Sequence, residues 1–80
     1  MSEHALGGAN VELAEAKRRV VAAGWHIRSV AVRSGGVAYD LWREDPLHTG
    51  VVLEERYCRG VTGAAALDAF LAVLARETSP

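Results

Sequence analysis

Three histidines and a single cysteine are the side chains in this 80-residue sequence that could bind a transition metal or form a nucleophile–base pair. They are His4, His26, His48 and Cys58. No two of them have the spacing that zinc sites use, such as i, i+4 on a helix or a C-x-x-C pair. A cysteine nucleophile also needs a histidine close by and a third group to orient it, and no pattern in the sequence indicates that arrangement. The sequence therefore predicts no metal, no cofactor and no catalytic residue.

A group of acids in the middle of the chain is the other candidate for chemistry: Asp40, Glu44, Asp45, Glu54 and Glu55. General acid–base catalysis needs two carboxyl groups in unequal environments within a concave, partly dry pocket. These acids are instead predicted on exposed strands and in a loop that contains Pro46, where carboxylates are usually solvated. The glycines at 35–36 and 60–63 match no phosphate-binding fingerprint. We therefore expect a protein that is not an enzyme.

The charge balance also limits the possible functions. Nine basic side chains stand against ten acidic ones, for a formal net charge of −1. Nucleic-acid coat proteins normally need a basic face. The longest nearly apolar run, residues 63–75, is too short for a bilayer, which needs roughly 20 apolar residues. Residues 1–9 do not resemble a signal peptide, and a lone cysteine fits a reducing compartment, so we expect a cytoplasmic protein.

The first helix has the clearest sequence signals. Asn10 is a favourable N-cap. An apolar stripe follows at helical spacing: Leu13, Ala16 and Val20. Gly24 adopts the left-handed conformation that ends a helix at little cost, so Trp25 can pack back on Val20 in a Schellman-type cap.

Three strands are predicted after this helix, over residues 25–33, 37–43 and 51–58. The alternation of apolar residues slips within the first strand, and a bulge near Arg28 and Ser29 would correct it. In the third strand, Val51, Leu53 and Tyr57 are expected to point to the face opposite Cys58. Glycines at 35–36 form the first turn, and a loop over 44–50 joins the second and third strands.

The last helix is predicted to begin after Thr62 and to run to about Glu77. One side is apolar: Leu67, Phe70, Leu71 and Leu74. The opposite side is made of small residues, which allow another helix to approach closely and so form a possible homodimer face: Ala65, Ala69, Ala72 and Val73. The fold class is therefore α+β, a two-layer domain in which both helices cover one face of a three-stranded antiparallel meander (α-β-β-β-α). We predict a flexible arm over 1–9, one domain over 10–77 and a tail over 78–80.

The element order resembles that of the double-stranded-RNA-binding domain, which runs α-β-β-β-α over nearly the same length. In that family, lysines that open the second helix hold the RNA phosphates. The corresponding stretch here, residues 62–66, contains no lysine. The resemblance therefore implies the topology and does not imply RNA binding.

The sheet face that the helices leave open is the predicted binding surface. On the expected strand parities it presents His26, Ala31, Ala38, Asp40, Trp42, Val52, Glu54, Arg56 and Cys58. Tryptophan and arginine are enriched among residues that dominate interfaces. We therefore expect a partner-binding cluster around Trp42, formed with Arg28, Arg43, Arg56, Asp40 and His26. The exposure of Trp42 depends on the strand register, since a slip of one residue moves every side chain of the strand to the other face of the sheet.

These observations favour a non-enzymatic protein-binding module, an inhibitor or adaptor that docks on a larger protein or protein complex through Trp42. In size and layout the chain resembles the compact α/β anti-CRISPR proteins of phages, which would imply a mobile-element factor. The alternative is a nucleic-acid-associated regulator that contacts phosphates through Lys17, Arg18 and Arg19, with an affinity that falls steeply with salt. A third alternative is a small enzyme or subunit whose active site is completed by oligomerisation.

Overall fold

Two helices flank three strands along the chain. A computed structural model describes the backbone of residues 2–79 and the side chains of residues 11–79. The elements are helix α1 (Ser2–Ala22), strands β1 (His26–Val30), β2 (Val37–Glu44) and β3 (Val52–Gly60), and helix α2 (Gly63–Thr78). The strands form one antiparallel sheet in the order β1-β2-β3. The predicted α+β fold with the order α-β-β-β-α is therefore confirmed.

Helix α1 begins at Ser2, whereas the sequence predicted a cap at Asn10. Glu3, Ala5 and Leu6 are good helix formers, and they oppose the cost of about 1 kcal/mol that each glycine at 7 and 8 carries in a helix. The flexibility predicted for residues 1–9 stays a prediction. Met1 and Pro80 lie outside the described residues.

The turn that ends α1 directs the side chain of Trp25 into the core. Gly24 has a φ of +92°, the left-handed conformation that glycine adopts most readily. The Trp25 amide donates to the Val20 carbonyl at 3.2 Å, and the Gly24 amide donates to the Val21 carbonyl at 2.9 Å. This is the hydrogen-bond pattern of the predicted Schellman cap. It leaves Trp25 only 4% exposed, in the core between the sheet and the helices.

Helix α2 begins where its sequence signals predict. The Thr62 hydroxyl accepts a hydrogen bond from the Ala65 amide at 3.1 Å, which satisfies one of the free amides of the first turn. Leu67 and Phe70 are buried against the sheet, and Leu71 and Leu74 are partly buried beside them. The predicted apolar side of the last helix therefore faces the core.

The start of α2 also lies unusually close to the end of β3. A Cβ atom at Gly60 would lie 2.7 Å from the backbone nitrogen of Ala66 and 3.0 Å from its Cα. Only glycine leaves room for this backbone approach. Gly60 therefore sets how closely α2 can pack on the sheet.

The strand register shows where the sheet is irregular. The pairing of β1 with β2 runs without interruption from His26 opposite Trp42 to Val30 opposite Ala38. The bulge predicted near Arg28 and Ser29 is therefore absent from this pairing, and the sequence alternation slips because β1 ends at Val30. The irregularity lies instead between β2 and β3, at Arg43 and Glu44.

From Glu54 onward, the side chains of β3 point to the opposite sides of the sheet from those predicted. Cys58 pairs with Tyr39, and Arg56 pairs with Leu41, so both share the side of the sheet that carries the core. Tyr57, predicted to face the core, is 57% exposed on the other side. The cause is Leu53, the residue of β3 between Val52 and Glu54 that is left without a partner on β2. An extra residue in one strand exchanges the two faces for all residues beyond it.

Candidate functional site

The side of the sheet away from the helices, which we call the open face, carries three rows of cross-strand neighbours and, beyond them, the pair Glu44–Val52. From β1 to β3 these rows are His26–Trp42–Glu55, Arg28–Asp40–Tyr57 and Val30–Ala38–Arg59. The strand residues that pack with both helices have the opposite parity: Ile27, Tyr39, Leu41 and Cys58. Among the described residues, no helix therefore covers the open face.

Trp42 is held in place on this face by two neighbours on β1. Its indole is stacked on the His26 ring, with the ring centroids 5.3 Å apart and the planes 18° from parallel. The guanidinium carbon of Arg28 lies 5.7 Å from the indole centroid, within cation–π range. Arg28 also bonds the Asp40 carboxylate at 3.1 Å. The structure thus brings together four of the predicted residues, and Trp42 remains partly exposed.

The other two predicted arginines lie on the opposite side of the sheet. The guanidinium carbons of Arg43 and Arg56 lie 5.7 Å and 5.9 Å from the ring of Trp25, which belongs to the core. They cannot contribute to a site around Trp42, because neighbouring residues on a strand point to opposite faces. The expectation that Arg43 and Arg56 join Trp42 is therefore wrong.

Three other residues expected on the open face also lie elsewhere. Glu54 and Cys58 share the helix side with Arg56, for the reason given above for β3. Ala31 lies beyond the end of β1. Ala38 does lie in an open-face row, between Val30 and Arg59, but it is fully buried.

On the helix side, Arg43 and Arg56 belong to an ion-pair network that links β2, β3 and α2. The two carboxylate oxygens of Glu54 accept from Arg43 at 3.1 Å and from Arg56 at 2.7 Å. Arg56 also donates to both oxygens of Glu77, at 2.7 Å and 3.2 Å. Hydrogen bonds, the larger from Arg56 and the smaller from Arg43, hold the pKa of Glu54 below its usual range. Hydrogen bonds to Glu77 and Glu54 raise the pKa of Arg56.

This network borders a groove of about 620 Å³, which runs between the sheet and the C-terminal half of α2. Its apolar floor includes Trp25, Leu71 and Leu74. The groove is part of the packing between helix and sheet, and its charged groups are already paired with one another. Through the ion pairs of Arg56 with Glu54 and Glu77 it can hold the end of α2 on the sheet.

We expect the stabilising contribution of the Glu54 carboxylate to be lost in acid. Since its pKa is lowered in the folded state, the unfolded chain takes up the proton first as the pH falls below the ordinary glutamate value of about 4.3. Its stabilising contribution is present above that pH and is lost as the pH falls towards the folded-state pKa. Urea unfolding at a series of acidic pH values should give a shallower pH dependence for Glu54→Gln than for the wild type.

The matched control for this experiment is Glu44→Gln, which removes a carboxylate that lies next to Arg43 on β2 but belongs to no ion pair of the network. Its unfolding free energy should follow pH more nearly as in the wild type. Equal slopes for Glu54→Gln and the wild type would contradict the role given to the network.

The basic cluster on α1 is partly neutralised by its own helix. Arg18 hydrogen-bonds to Glu15, and Arg19 lies 3.4 Å from the same carboxylate. The ammonium group of Lys17 lies 5.9 Å from the ring centroid of Tyr39. The three predicted phosphate-contacting residues are exposed, but they do not converge on one point with free donors.

The small-residue side of α2 is largely exposed, as a dimer face would be: Ala65, Ala69 and Ala72 are exposed and Val73 is partly buried. Ala69 and Val73 line a groove of about 230 Å³ with residues 56–59 along the outer edge of β3. Sequence reasoning missed this edge and the open-face residues Glu55, Tyr57 and Arg59. The local signal for them is incomplete: the apolar run at 51–53 followed by two acids interrupts the two-residue period, but only the pairing with β2 shows which residue is extra.

The side chains of residues 11–79 include no group of three or more His, Cys, Asp or Glu that could hold a metal ion. Neither helix, over the part of the chain that the structure describes, is both long and apolar enough to cross a membrane. Comparison with protein-family models, with curated proteins and with solved structures finds no match to this chain.

Proposed function

We propose that the protein is a non-enzymatic docking module that binds a larger protein or protein complex through the open face. The observation that supports this is the Trp42 indole, stacked on His26 and flanked by Arg28 on the side of the sheet that no helix covers. Tryptophan and arginine are the residues that most often dominate protein interfaces. An indole that keeps part of its apolar surface outside the core of its own chain has that surface available for a partner.

The charge of the open face favours a protein partner over a nucleic acid. Arg28 and Arg59 stand against Asp40, Glu44 and Glu55, so the arginines and acids of this face give it no excess of positive charge. Binding to a phosphate backbone depends on an excess of positive charge, which this face lacks. The complementary partner surface would offer an apolar pocket for the indole edge, bordered by charged groups of both signs.

The biological form of this proposal is an inhibitor or adaptor in the cytoplasm, for which the anti-CRISPR proteins are the model in size and layout. The free, buried thiol of Cys58 suits a reducing compartment. Burial raises the pKa of that thiol, so it is poorly suited to act as a nucleophile at neutral pH. The first observation supports a cytoplasmic location, and the second supports a non-enzymatic role.

We expect Trp42→Ala to weaken partner binding by about 30-fold, since truncation of a hot-spot residue costs at least about 2 kcal/mol. The partner would first be captured from nuclease-treated lysate of the source organism and identified by mass spectrometry. Its affinity for the purified wild type and variants would then be measured directly. Leu47→Ala is the matched control, because Leu47 is 85% exposed in the loop between β2 and β3. It should bind as the wild type does.

The proposal would be refuted if the partner is captured only without nuclease and if Trp42→Ala does not change the amount captured. In that case the cluster of Lys17, Arg18 and Arg19 becomes the binding site to test. A steep loss of affinity with salt would then be expected, since released counterions drive binding to phosphates.

A further inference from the structure

We propose that the chain forms a symmetric homodimer in which β3 pairs antiparallel with β3 of a second copy, with Tyr57 at the two-fold axis. Strand β3 has nine residues and lies at the edge of the sheet, and no other described strand pairs with its outer side. Such an edge offers a row of backbone donors and acceptors to another strand. The inference concerns the outer edge of the sheet, which adjoins the open face that carries Trp42, and it does not depend on the proposed function.

Self-pairing of β3 is restricted to a few registers. A two-fold axis perpendicular to the sheet keeps all four helices on one side of the joined sheet. Two residues that pair across the axis must then point to the same face, so they are separated along the strand by an even number of positions. A register centred on Glu55 or on Arg56 places two like charges directly opposite each other, which is destabilising. The register centred on Tyr57 places the two tyrosine rings opposite each other and pairs Glu55 with Arg59 twice.

The charges of this register are available for pairing. Glu55 makes no ion pair with the side chains of residues 11–79, whereas Glu54 and Arg56 are already joined in the network on the other face. Arg59 donates to the Ser34 hydroxyl and, at 3.5 Å, to the Gly35 carbonyl. A guanidinium has five N–H donors, so these contacts leave donors for a carboxylate of the second copy.

The helix layer fits the same arrangement. Strands in a sheet lie about 4.8 Å apart, and packed helices lie about 8–10 Å apart. Because α2 packs mainly on β3 and α1, joining two β3 strands brings the two α2 helices into proximity. Close approach then requires small side chains, and the groove beside the β3 edge is lined by Ala69 and Val73. The dimer would be one six-stranded sheet with both copies of Trp42 on the same open face.

The charge pairs supply the first test, a measurement of molar mass by light scattering across a wide range of protein concentration. The wild type should reach the mass of a dimer. Glu55→Arg and Arg59→Glu should each weaken the dimer by about tenfold, because each substitution replaces two attractive pairs with two repulsive ones. The double variant Glu55→Arg/Arg59→Glu should recover wild-type affinity, and circular dichroism would verify that each variant is folded.

A cysteine scan tests the register directly. In a Cys58→Ala background, Tyr57→Cys should form an intermolecular disulfide on mild oxidation, because directly opposite Cβ atoms lie about 4.5–5.5 Å apart. Glu55→Cys is the control and should not cross-link, since its counterpart lies several residues away along the strand. Trp42→Ala should leave the dimer mass unchanged, which separates this inference from the proposed function.

Three results would overturn the inference. One is a mass that stays monomeric at every concentration. Another is a single charge reversal that leaves the dimer intact, or a double variant that does not recover the affinity of the wild type. The third is cross-linking through position 55 in preference to 57, which would place the axis elsewhere on the strand.

Discussion

Trp25→Ala is expected to lower the free energy of unfolding by about 3–5 kcal/mol, the usual range for removing a large aromatic side chain from a core. Trp25 is 4% exposed, and its ring meets Phe70 edge to face, with the centroids 5.1 Å apart and the planes at 79°. The guanidinium groups of Arg43 and Arg56 lie over it. Its removal therefore opens a cavity and also withdraws the surface on which the ion-pair network rests.

The chain contains its own control for this prediction, because the second tryptophan lies on the other side of the sheet. Trp42→Ala removes the same side chain from the open face, where it contacts only its neighbours on the surface and is not part of the buried core. Urea unfolding should show a much smaller loss for Trp42→Ala than for Trp25→Ala. A loss for Trp42→Ala that equals or exceeds the loss for Trp25→Ala would contradict the assignment of the two faces.

Gly60→Ala is expected to destabilise the protein by about 3 kcal/mol, at the upper end of the range for overpacking a well-packed site. The new methyl group would lie 2.7 Å from the backbone nitrogen of Ala66 and 3.2 Å from the carbonyl carbon of Ala65. A side chain can move aside at small cost, but a helix backbone can move only if α2 shifts on the sheet. That shift would disturb the contacts of Leu67 and Phe70 as well.

The double variant Gly60→Ala/Ala66→Gly shows whether backbone or side chain is responsible. Removing the Ala66 methyl group leaves the backbone atoms where they are, so the double variant should be no more stable than Gly60→Ala. It should in fact lose about 1 kcal/mol more, the ordinary cost of a glycine within a helix. Thermal or urea unfolding would measure both variants, and recovery of stability in the double variant would show that the contact is not with the backbone.

The elements of the fold were predictable because their signals are local. The Gly24–Trp25 cap, the Thr62 cap and the apolar side of α2 depend on residues within one or two helical turns of one another. The faces of β3 were not predictable in the same way. They depend on an irregularity between Arg43 and Glu44, which is defined only by the pairing of two strands that a loop separates.

The candidate site shows the same division between local and non-local information. Trp42 and Asp40 lie together on one face because β2 is regular, and β1 brings His26 and Arg28 opposite them. Arg56 lies on the other side because of the irregularity before it. Arg43 could have been excluded from the sequence alone, since it adjoins Trp42 on a strand whose neighbours alternate.

The stack of His26 on Trp42 has a consequence for the thermodynamics of binding. Ordering a flexible side chain at an interface costs about 0.5–1.5 kcal/mol. The contacts of Trp42 with His26 and Arg28 already exist within the chain, so that conformational entropy is lost on folding and not on association. A partner would meet a rigid indole, and its affinity would depend on how well its surface matches one fixed orientation.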